Sequence, residues 1–234
     1  MAKALIVVPT YNERENVEEI AGRLLVTLAD ADILFVDDNS PDGTGDLLDQ
    51  MSAREPRIQV MHRAGKQGLG TAYIAGFRWG LARAYEYFFE FDADGSHDPK
   101  YLPHMLALAE GGADAVVGSR NVPGGGTMNW GIGRKLLSRG GSFYARTILG
   151  IDVHDVTAGF ICWRRRVLEA LDLDRIDSNG YSFQIEMKYR AIQQGFKVVE
   201  TPIVFVDRRV GQSKMNRAIV AEALLKVWSL RFRR

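Results

Sequence analysis

Asp92 and Asp94 stand one position apart at the end of an apolar run, in Tyr87-Phe88-Phe89-Glu90-Phe91-Asp92-Ala93-Asp94-Gly95-Ser96-His97-Asp98-Pro99. The run reads as a buried strand, so the pair falls where the chain leaves a sheet and side chains reach a cleft. Two carboxylates this close repel each other unless one is protonated or both hold a metal ion. Carboxylate oxygens suit a hard divalent cation that also grips a diphosphate. The pair therefore points to an enzyme acting on a phosphorylated, nucleotide-linked substrate.

A cationic set follows. Segment 119–151 contains Arg120, Arg134, Lys135, Arg139 and Arg146 and neither Asp nor Glu, so these five charges stand unopposed within it. Arg134 and Ser138 lie four apart, on one face of a helix. A guanidinium holds a phosphate with two hydrogen bonds. Leu136, Leu137, Phe143, Ile148 and Leu149 are interspersed among the charges. That mixture suits an amphipathic surface for a lipid phosphate, and ordinary helical cores show it too. Glu186 reads as a helical residue able to orient an arginine from inside the cleft, or as half of a buried ion pair. His97 reads as a turn residue and Cys162, in Phe160-Ile161-Cys162-Trp163, as core packing. Gly65, Gly68 and Gly70 have the order Gly-x-x-Gly-x-Gly, which is not the dinucleotide fingerprint.

The elements that must position these groups alternate. Leu5 to Val8, Ile33 to Val36, Ile58 to Met61, Tyr87 to Phe91 and Ala113 to Val117 read as strands. Helices read between them over 44–53, 72–85 and 100–110, with a first helix capped by Asn12 and Glu15 and faced by Val17, Ile20, Leu24 and Leu28. Such alternation predicts an α/β fold with a mostly parallel central sheet, whose ligands bind beyond the carboxyl ends of the strands. Thr10, Asp37, Asp38, His62, Arg63, Ser119 and Arg120 follow those ends. A basic helix reads over 133–148. A late strand over 198–205, interrupted by Pro202, reads as an edge.

The chain has 234 residues, 46% of them hydrophobic and 25% charged, with a formal charge of +1. That balance argues against a general nucleic-acid binder. The lone Cys162 permits no internal disulfide, and no secretory or transmembrane pattern appears, so a cytoplasmic setting is expected.

In their order and spacing, Val8-Pro9-Thr10-Tyr11-Asn12-Glu13, Val36-Asp37-Asp38-Asn39-Ser40-Pro41-Asp42-Gly43-Thr44, the Asp92–Asp94 segment, Gly118-Ser119-Arg120, Asp155-Val156-Thr157-Ala158-Gly159-Phe160 and Asp207-Arg208-Arg209-Val210-Gly211-Gln212-Ser213-Lys214 resemble a known group. It is the nucleotide-sugar glycosyltransferases of A-type fold, in the large inverting family 2, and within it the polyprenyl-phosphate (dolichol-phosphate) mannose synthases. The resemblance covers Leu5 to about Met215. It implies a single Rossmann-like catalytic domain over 1–215, followed by an amphipathic basic helix over 216–234. The implied reaction is transfer of mannose from GDP-mannose to a polyprenyl phosphate, with inversion and with Mg2+ or Mn2+. UDP-glucose as donor is the near alternative, since metal and diphosphate contacts do not read the base.

By position, the resemblance implies that Pro9, Tyr11, Glu13, Asp38, Ala93, Arg208 and Lys214 contact the nucleotide sugar, with Ser213 in the same loop. Asp92 and Asp94 would bind the metal. Ser96, where many relatives carry a glutamine ligand, would reach it through a bridging water. Arg120, Arg134, Ser138, Arg139 and Asp155 would handle the acceptor phosphate, with Asp94, Arg120 and Arg134 the groups on which catalysis rests. The chain end, with Val220, Leu224, Val227 and Trp228 along one side and Arg231-Phe232-Arg233-Arg234 after it, suits either a peripheral membrane anchor at the cytoplasmic face or an ordinary packing helix. The resemblance leaves room for a separate membrane subunit. A rival chemistry, an aspartyl-phosphate phosphatase with Asp92 as nucleophile, is disfavoured because three strands precede the motif.

Overall fold

The computed structural model describes residues 4–176, 178, 180–207 and 217–232. A seven-stranded sheet carries the order β3-β2-β1-β4-β7-β5-β8. Its members are β1 (Ala4–Thr10), β2 (Ala31–Asp37), β3 (Ile58–His62), β4 (Tyr87–Glu90), β5 (Ala115–Ser119), β7 (Ile161–Arg164) and β8 (Val198–Pro202). The pairs β1–β2, β2–β3, β1–β4 and β5–β8 are parallel, whereas β7 runs antiparallel between β4 and β5. A second, two-stranded sheet joins β6 (Gly126–Met128) to β9 (Val204–Val206).

The alternation of each strand divides its side chains between two cores. Ala4, Ile6 and Val8 of β1 pack with Val17, Ile20 and Leu24 of α1 (Val17–Thr27), Leu48 of α2 (Thr44–Arg54) and Met105 of α4 (Leu102–Glu110). On the opposite face, Leu5 and Val7 pack with Tyr73 and Phe77 of α3 (Leu69–Leu81), Val167 of α6 (Arg165–Ala170) and Phe183 of α7 (Gly180–Gln193). A strand covered on both faces can be apolar at every position, which is why β1 and β2 read as continuous hydrophobic runs. A third apolar cluster joins Ala145 and Leu149 of α5 (Ile132–Leu149) to Ile185 and Tyr189 of α7 and to Val227 and Leu230 of α8 (Arg217–Phe232).

Two expectations change. The first helix begins at Val17, not at Asn12, because the amides of Asn12 and Glu13 are spent elsewhere. They donate to Ser40 Oγ and Thr44 Oγ1 at 3.0 Å each, stitching the β1 loop to the β2 loop. The third helix spans Leu69–Leu81 rather than reaching Tyr85, whose hydroxyl instead donates to Asp32 at 2.6 Å. The run around Cys162 is packing, as read, but it is also a central antiparallel strand. The late strand does lie at the sheet edge, and Pro202 ends it. Among the described residues, no helix is long and apolar enough to cross a membrane.

The contact of α3 with the sheet depends on glycine. A Cβ at Gly80 would lie 2.4 Å from Phe88 Cε1 and 2.6 Å from Leu5 Cδ2, inside any tolerable contact. Gly80→Ala is expected to lower unfolding stability by about 1–3 kcal/mol in denaturant titration. Gly22→Ala, with nothing within 4 Å of its Cβ on α1, should be neutral or stabilising by up to about 1 kcal/mol.

Candidate active site

A cavity of about 290 Å³ opens beyond the carboxyl ends of the strands, bordered by Pro9, Tyr11, Glu13, Asp38, Asp92, Ala93 and Asp94 after β1, β2 and β4 and by Arg120 after β5. Trp130, Arg134, Gly159, Tyr181, Gln184 and Phe205 close it from the second half.

At one end, the loops after β1 and β2 are locked together. Asp37 accepts from Thr10 Oγ1 at 3.1 Å and from Ser40 Oγ at 2.6 Å. Asp38, buried beside it, faces Arg63 at 2.9 Å and accepts from the Gln67 amide at 3.3 Å. Burial pushes the Asp38 carboxyl above its ordinary range and Arg63 opposes that shift, with a net rise. Lys66 Nζ lies 4.3 Å over the Tyr11 ring.

In the middle stand the two carboxylates after β4. Asp92 Oδ1 accepts from the Tyr73 hydroxyl at 3.0 Å, and the Asp92 amide donates to His97 Nδ1 at 3.4 Å. His97 is buried and stacks on Phe160 at 4.9 Å, so it serves the turn that aims Asp92. Burial, reinforced by Asp92, holds the Tyr73 phenol well above its ordinary pKa. Asp94 Oδ1 accepts from the Ser96 amide at 3.0 Å. Ser96 Oγ is buried with no partner among the described residues and does not border the cavity. No group of three or more His, Cys, Asp or Glu able to hold a metal occurs among the described residues. Two hard carboxylates on one cleft wall fit a cation that takes its remaining ligands from water and substrate phosphates, as Mg2+ does.

At the other end, Arg120 is clamped by Asp155. Its Nε and Nη2 meet the two carboxylate oxygens at 2.7 and 2.6 Å, its amide donates to Oδ2 at 3.0 Å, and Nη2 also reaches Thr157 Oγ1 at 2.9 Å. Burial would raise the Asp155 pKa, but the charge and hydrogen bonds of Arg120 outweigh it and hold the carboxyl below its ordinary value. Arg134 lies 4.0 Å over the Trp130 ring and pairs with Asp207 at 2.8 Å. Three of the five cations of segment 119–151 are thus not unopposed. Arg120, Arg134 and Arg146 find Asp155, Asp207 and Asp152 outside it, the last at 2.9 Å.

Beneath these groups lies a polar floor that the sequence reading missed. Glu90, fully buried, accepts from Trp163 Nε1 at 2.7 Å and Gln184 Nε2 at 2.5 Å. Lys188, also fully buried, donates to the carbonyls of Val156, Ala158 and Gln184 at 3.1, 2.7 and 3.1 Å. Burial pushes the Glu90 carboxyl up to about 7 and the Lys188 ammonium down to about 8, while their mutual attraction opposes both shifts. A charged residue inside Phe88-Phe89-Glu90-Phe91 was the available signal. Trp130 and Gln184 carried none.

Other predicted residues fall elsewhere. Ser138 and Arg139 do not border the cavity. Glu186 orients an arginine, but it is Arg190 of its own helix, at 2.8 and 2.6 Å. It also accepts from Ser178 and lies 3.5 Å from Lys226, anchoring α8. Arg208, Ser213 and Lys214 lie outside the described residues.

Comparison with known proteins agrees with this geometry. The family described as glycosyl transferase family 2 matches residues 5–172. The chain is 50% identical over 234 residues to the polyprenol monophosphomannose synthase of Mycolicibacterium smegmatis, covering 99% of this chain and 88% of that protein. It is 49% identical over 230 residues to the undecaprenyl-phosphate mannosyltransferase of Micrococcus luteus, covering 97% and 94%. Among solved structures, the Mycobacterium tuberculosis glucosyl-3-phosphoglycerate synthase with Mn2+, UDP-glucose and phosphoglyceric acid superposes with a TM-score of 0.73 at 17% identity, over 98% of this chain and 80% of that one. A Pyrobaculum calidifontis mannosyltransferase in complex with GDP-Man and Mn2+ gives 0.60 at 15% identity, over 97% and 73%. These structural likenesses establish the A-type glycosyltransferase fold. The chain belongs to glycosyltransferase family 2.

The Arg120–Asp155 clamp predicts a definite acid response. Because the folded carboxyl titrates below the unfolded one, its contribution is complete above an unfolded pKa of about 4 and is lost as pH falls below that value. Asp155→Asn should cost about 3–5 kcal/mol at pH 7, since it leaves a buried guanidinium uncompensated. Urea titrations should show the gap between wild type and Asp155→Asn narrowing as pH falls below about 4.

Proposed function

We propose that this family 2 glycosyltransferase moves mannose from GDP-mannose to a polyprenyl phosphate, with inversion at the anomeric carbon. The observation that carries the reading is identity near 50%, over almost the whole chain, to two proteins named for mannosyl transfer to polyprenyl phosphates.

The cleft supports it. A nucleoside beside Tyr11 and Asp38 would place its diphosphate against Asp92 and Asp94. A divalent ion bound there supplies positive charge where the diphosphate leaves. Arg120 and Arg134, at the far end of the same cavity, suit a second anion, the acceptor phosphate. That phosphate is already anionic at neutral pH and needs no protein base to attack. In this reading the transferred sugar lies between the two anion sites. Attack from the side opposite the diphosphate inverts the anomeric centre.

The acceptor's lipid tail calls for a surface. Ile132, Leu136, Leu137 and Phe143 of α5 are exposed beside Lys135 and Arg139, and Leu225, Trp228 and Phe232 are exposed on the neighbouring α8. Basic groups bordering apolar ones suit a helix pair lying in an anionic membrane interface, next to the arginines that would receive the phosphate.

Two measurements test the reading. A donor panel of GDP-mannose and UDP-glucose, with and without chelator, should give product from GDP-mannose and metal only. Asp94→Asn should lower the rate at least about a hundredfold with an unchanged circular dichroism spectrum. Transfer from the uridine donor alone would overturn the donor assignment. Separately, Leu136→Glu combined with Phe143→Glu should weaken co-sedimentation with phosphatidylglycerol vesicles about tenfold or more.

A further inference from the structure

Helix α5 has two halves of different character. None of residues 132–141 is buried, whereas Ser142, Ala145 and Leu149 beyond them are. Ala145 and Leu149 pack with Ile185 and Tyr189 of α7 and with Val227 and Leu230 of α8. Among the described residues, no side chain of 132–141 joins an apolar cluster. Ile132, Leu136 and Leu137 are instead 78%, 67% and 51% exposed. The first half is tied down at its cleft end, where Arg134 pairs with Asp207 at 2.8 Å and lies 4.0 Å over the Trp130 ring.

Gly140 and Gly141 stand where the halves meet. A glycine is required where a neighbour leaves no room for a Cβ or where φ is positive. The first condition holds on α3, where a Cβ at Gly70, Gly76 or Gly80 would come within 2.8, 2.4 or 2.4 Å of another atom. Neither condition holds on α5. A Cβ at Gly140 or Gly141 would meet nothing within 4 Å among the described residues, and neither φ is positive. What the pair does is weaken the helix, since each glycine disfavours the helical form about fivefold relative to alanine. Sharp bends in helices occur at such positions, and enzyme hinges are a few residues that absorb the change in φ and ψ. Gly22 of α1 also meets nothing, but it is single and buried Ala21 and Leu24 hold the helix around it.

We propose that Gly140 and Gly141 form a hinge on which the first half of α5, carrying Arg134, swings out to admit the acceptor phosphate and back to close the cleft over it. This rests on the acceptor reading above. Arg134 and Trp130 border the cavity, so moving that half opens one of its walls. The motion uncovers no buried residue of α5, because the moving half has none. It breaks the partly exposed Arg134–Asp207 pair, of a kind that contributes little to stability. A phosphate that trails a long apolar chain needs such a side opening, since the chain cannot thread through a closed wall. The second half of α5 stays docked on α7 and α8 throughout.

The test sets helix propensity against size. Alanine is smaller than asparagine and a much stronger helix former, so a hinge and a steric role predict opposite orders. The proteins compared are wild type, Gly140→Ala/Gly141→Ala, Gly140→Asn/Gly141→Asn and, as a control for general helix strengthening, Gly22→Ala. The alanine pair should slow amide hydrogen exchange over 132–139 and lower kcat/KM for a polyprenyl phosphate at saturating GDP-mannose about fivefold or more. The asparagine pair and Gly22→Ala should stay within about twofold of wild type, as should GDP affinity in every variant. If the alanine pair fails to fold, Gly141→Ala alone carries the same comparison with Gly141→Asn. Unchanged exchange, or slowed exchange with unchanged kcat/KM, overturns the hinge while transfer itself stands. So does an asparagine pair impaired as much as the alanine pair, which marks crowding rather than stiffness. Absence of turnover in wild type overturns the acceptor reading and, with it, the task assigned to the hinge.

Discussion

The carboxyl edge of the sheet gathers more negative charge than it could hold unaided. Asp37, Asp38, Glu90, Asp92, Asp94 and Asp155 converge there, most of them buried. Each position needs its own compensation, because carboxylates in a low-dielectric setting repel strongly and lose solvation. Asp37 is satisfied by hydroxyls, Asp38 by Arg63, and Asp155 by a bidentate Arg120. Glu90 has Lys188 within electrostatic reach, together with two neutral donors. Asp92 accepts from the Tyr73 hydroxyl and Asp94 from the Ser96 backbone amide, contacts that orient the two carboxylates. In the proposed reading these two carboxylates would hold a divalent ion, which would supply positive charge toward a diphosphate.

Much of that compensation comes from the second half of the chain, and topology explains how. Strand β7 enters the sheet antiparallel between β4 and β5, bringing Trp163 under Glu90. Helix α7 then delivers Gln184 and Lys188 to the floor, and Lys188 also holds the carbonyls of Val156 and Ala158 that lead into the cleft wall. Glu200 of β8 steadies the same stretch by accepting from the amides of His154 and Asp155 at 2.7 and 2.9 Å. The Arg120 site is thus supported from three elements at once. Fixed charges of this kind need little reorganisation, which suits the anion-binding role proposed for Arg120.

What could be read from the residues follows from how local each signal is. Strand–helix alternation and the polar residues after each strand were legible, because a doubly covered parallel strand is apolar throughout and stops at its functional end. The placement of Asp38, Asp92, Asp94 and Arg120 on one cavity followed from that. The antiparallel insertion of β7 was not legible, since a four-residue apolar run has no sign of its partners or direction. The start of the first helix was misread because Asn12-x-x-Glu15 matches a capping box, while the amides it would cap are spent on a loop 28 and 31 residues away. Pairings such as Arg134 with Asp207, 73 residues apart, lie beyond any local pattern. Segment charge alone therefore overstated how free the arginines are.

Cation and nucleotide should each require the other at Asp92 and Asp94, and calorimetry reads this without turnover. GDP titrated into the wild-type protein should bind at least about tenfold more tightly in Mn2+ than in excess EDTA, and Asp94→Asn should erase the difference. Equal affinity for GDP with and without the metal would contradict the account.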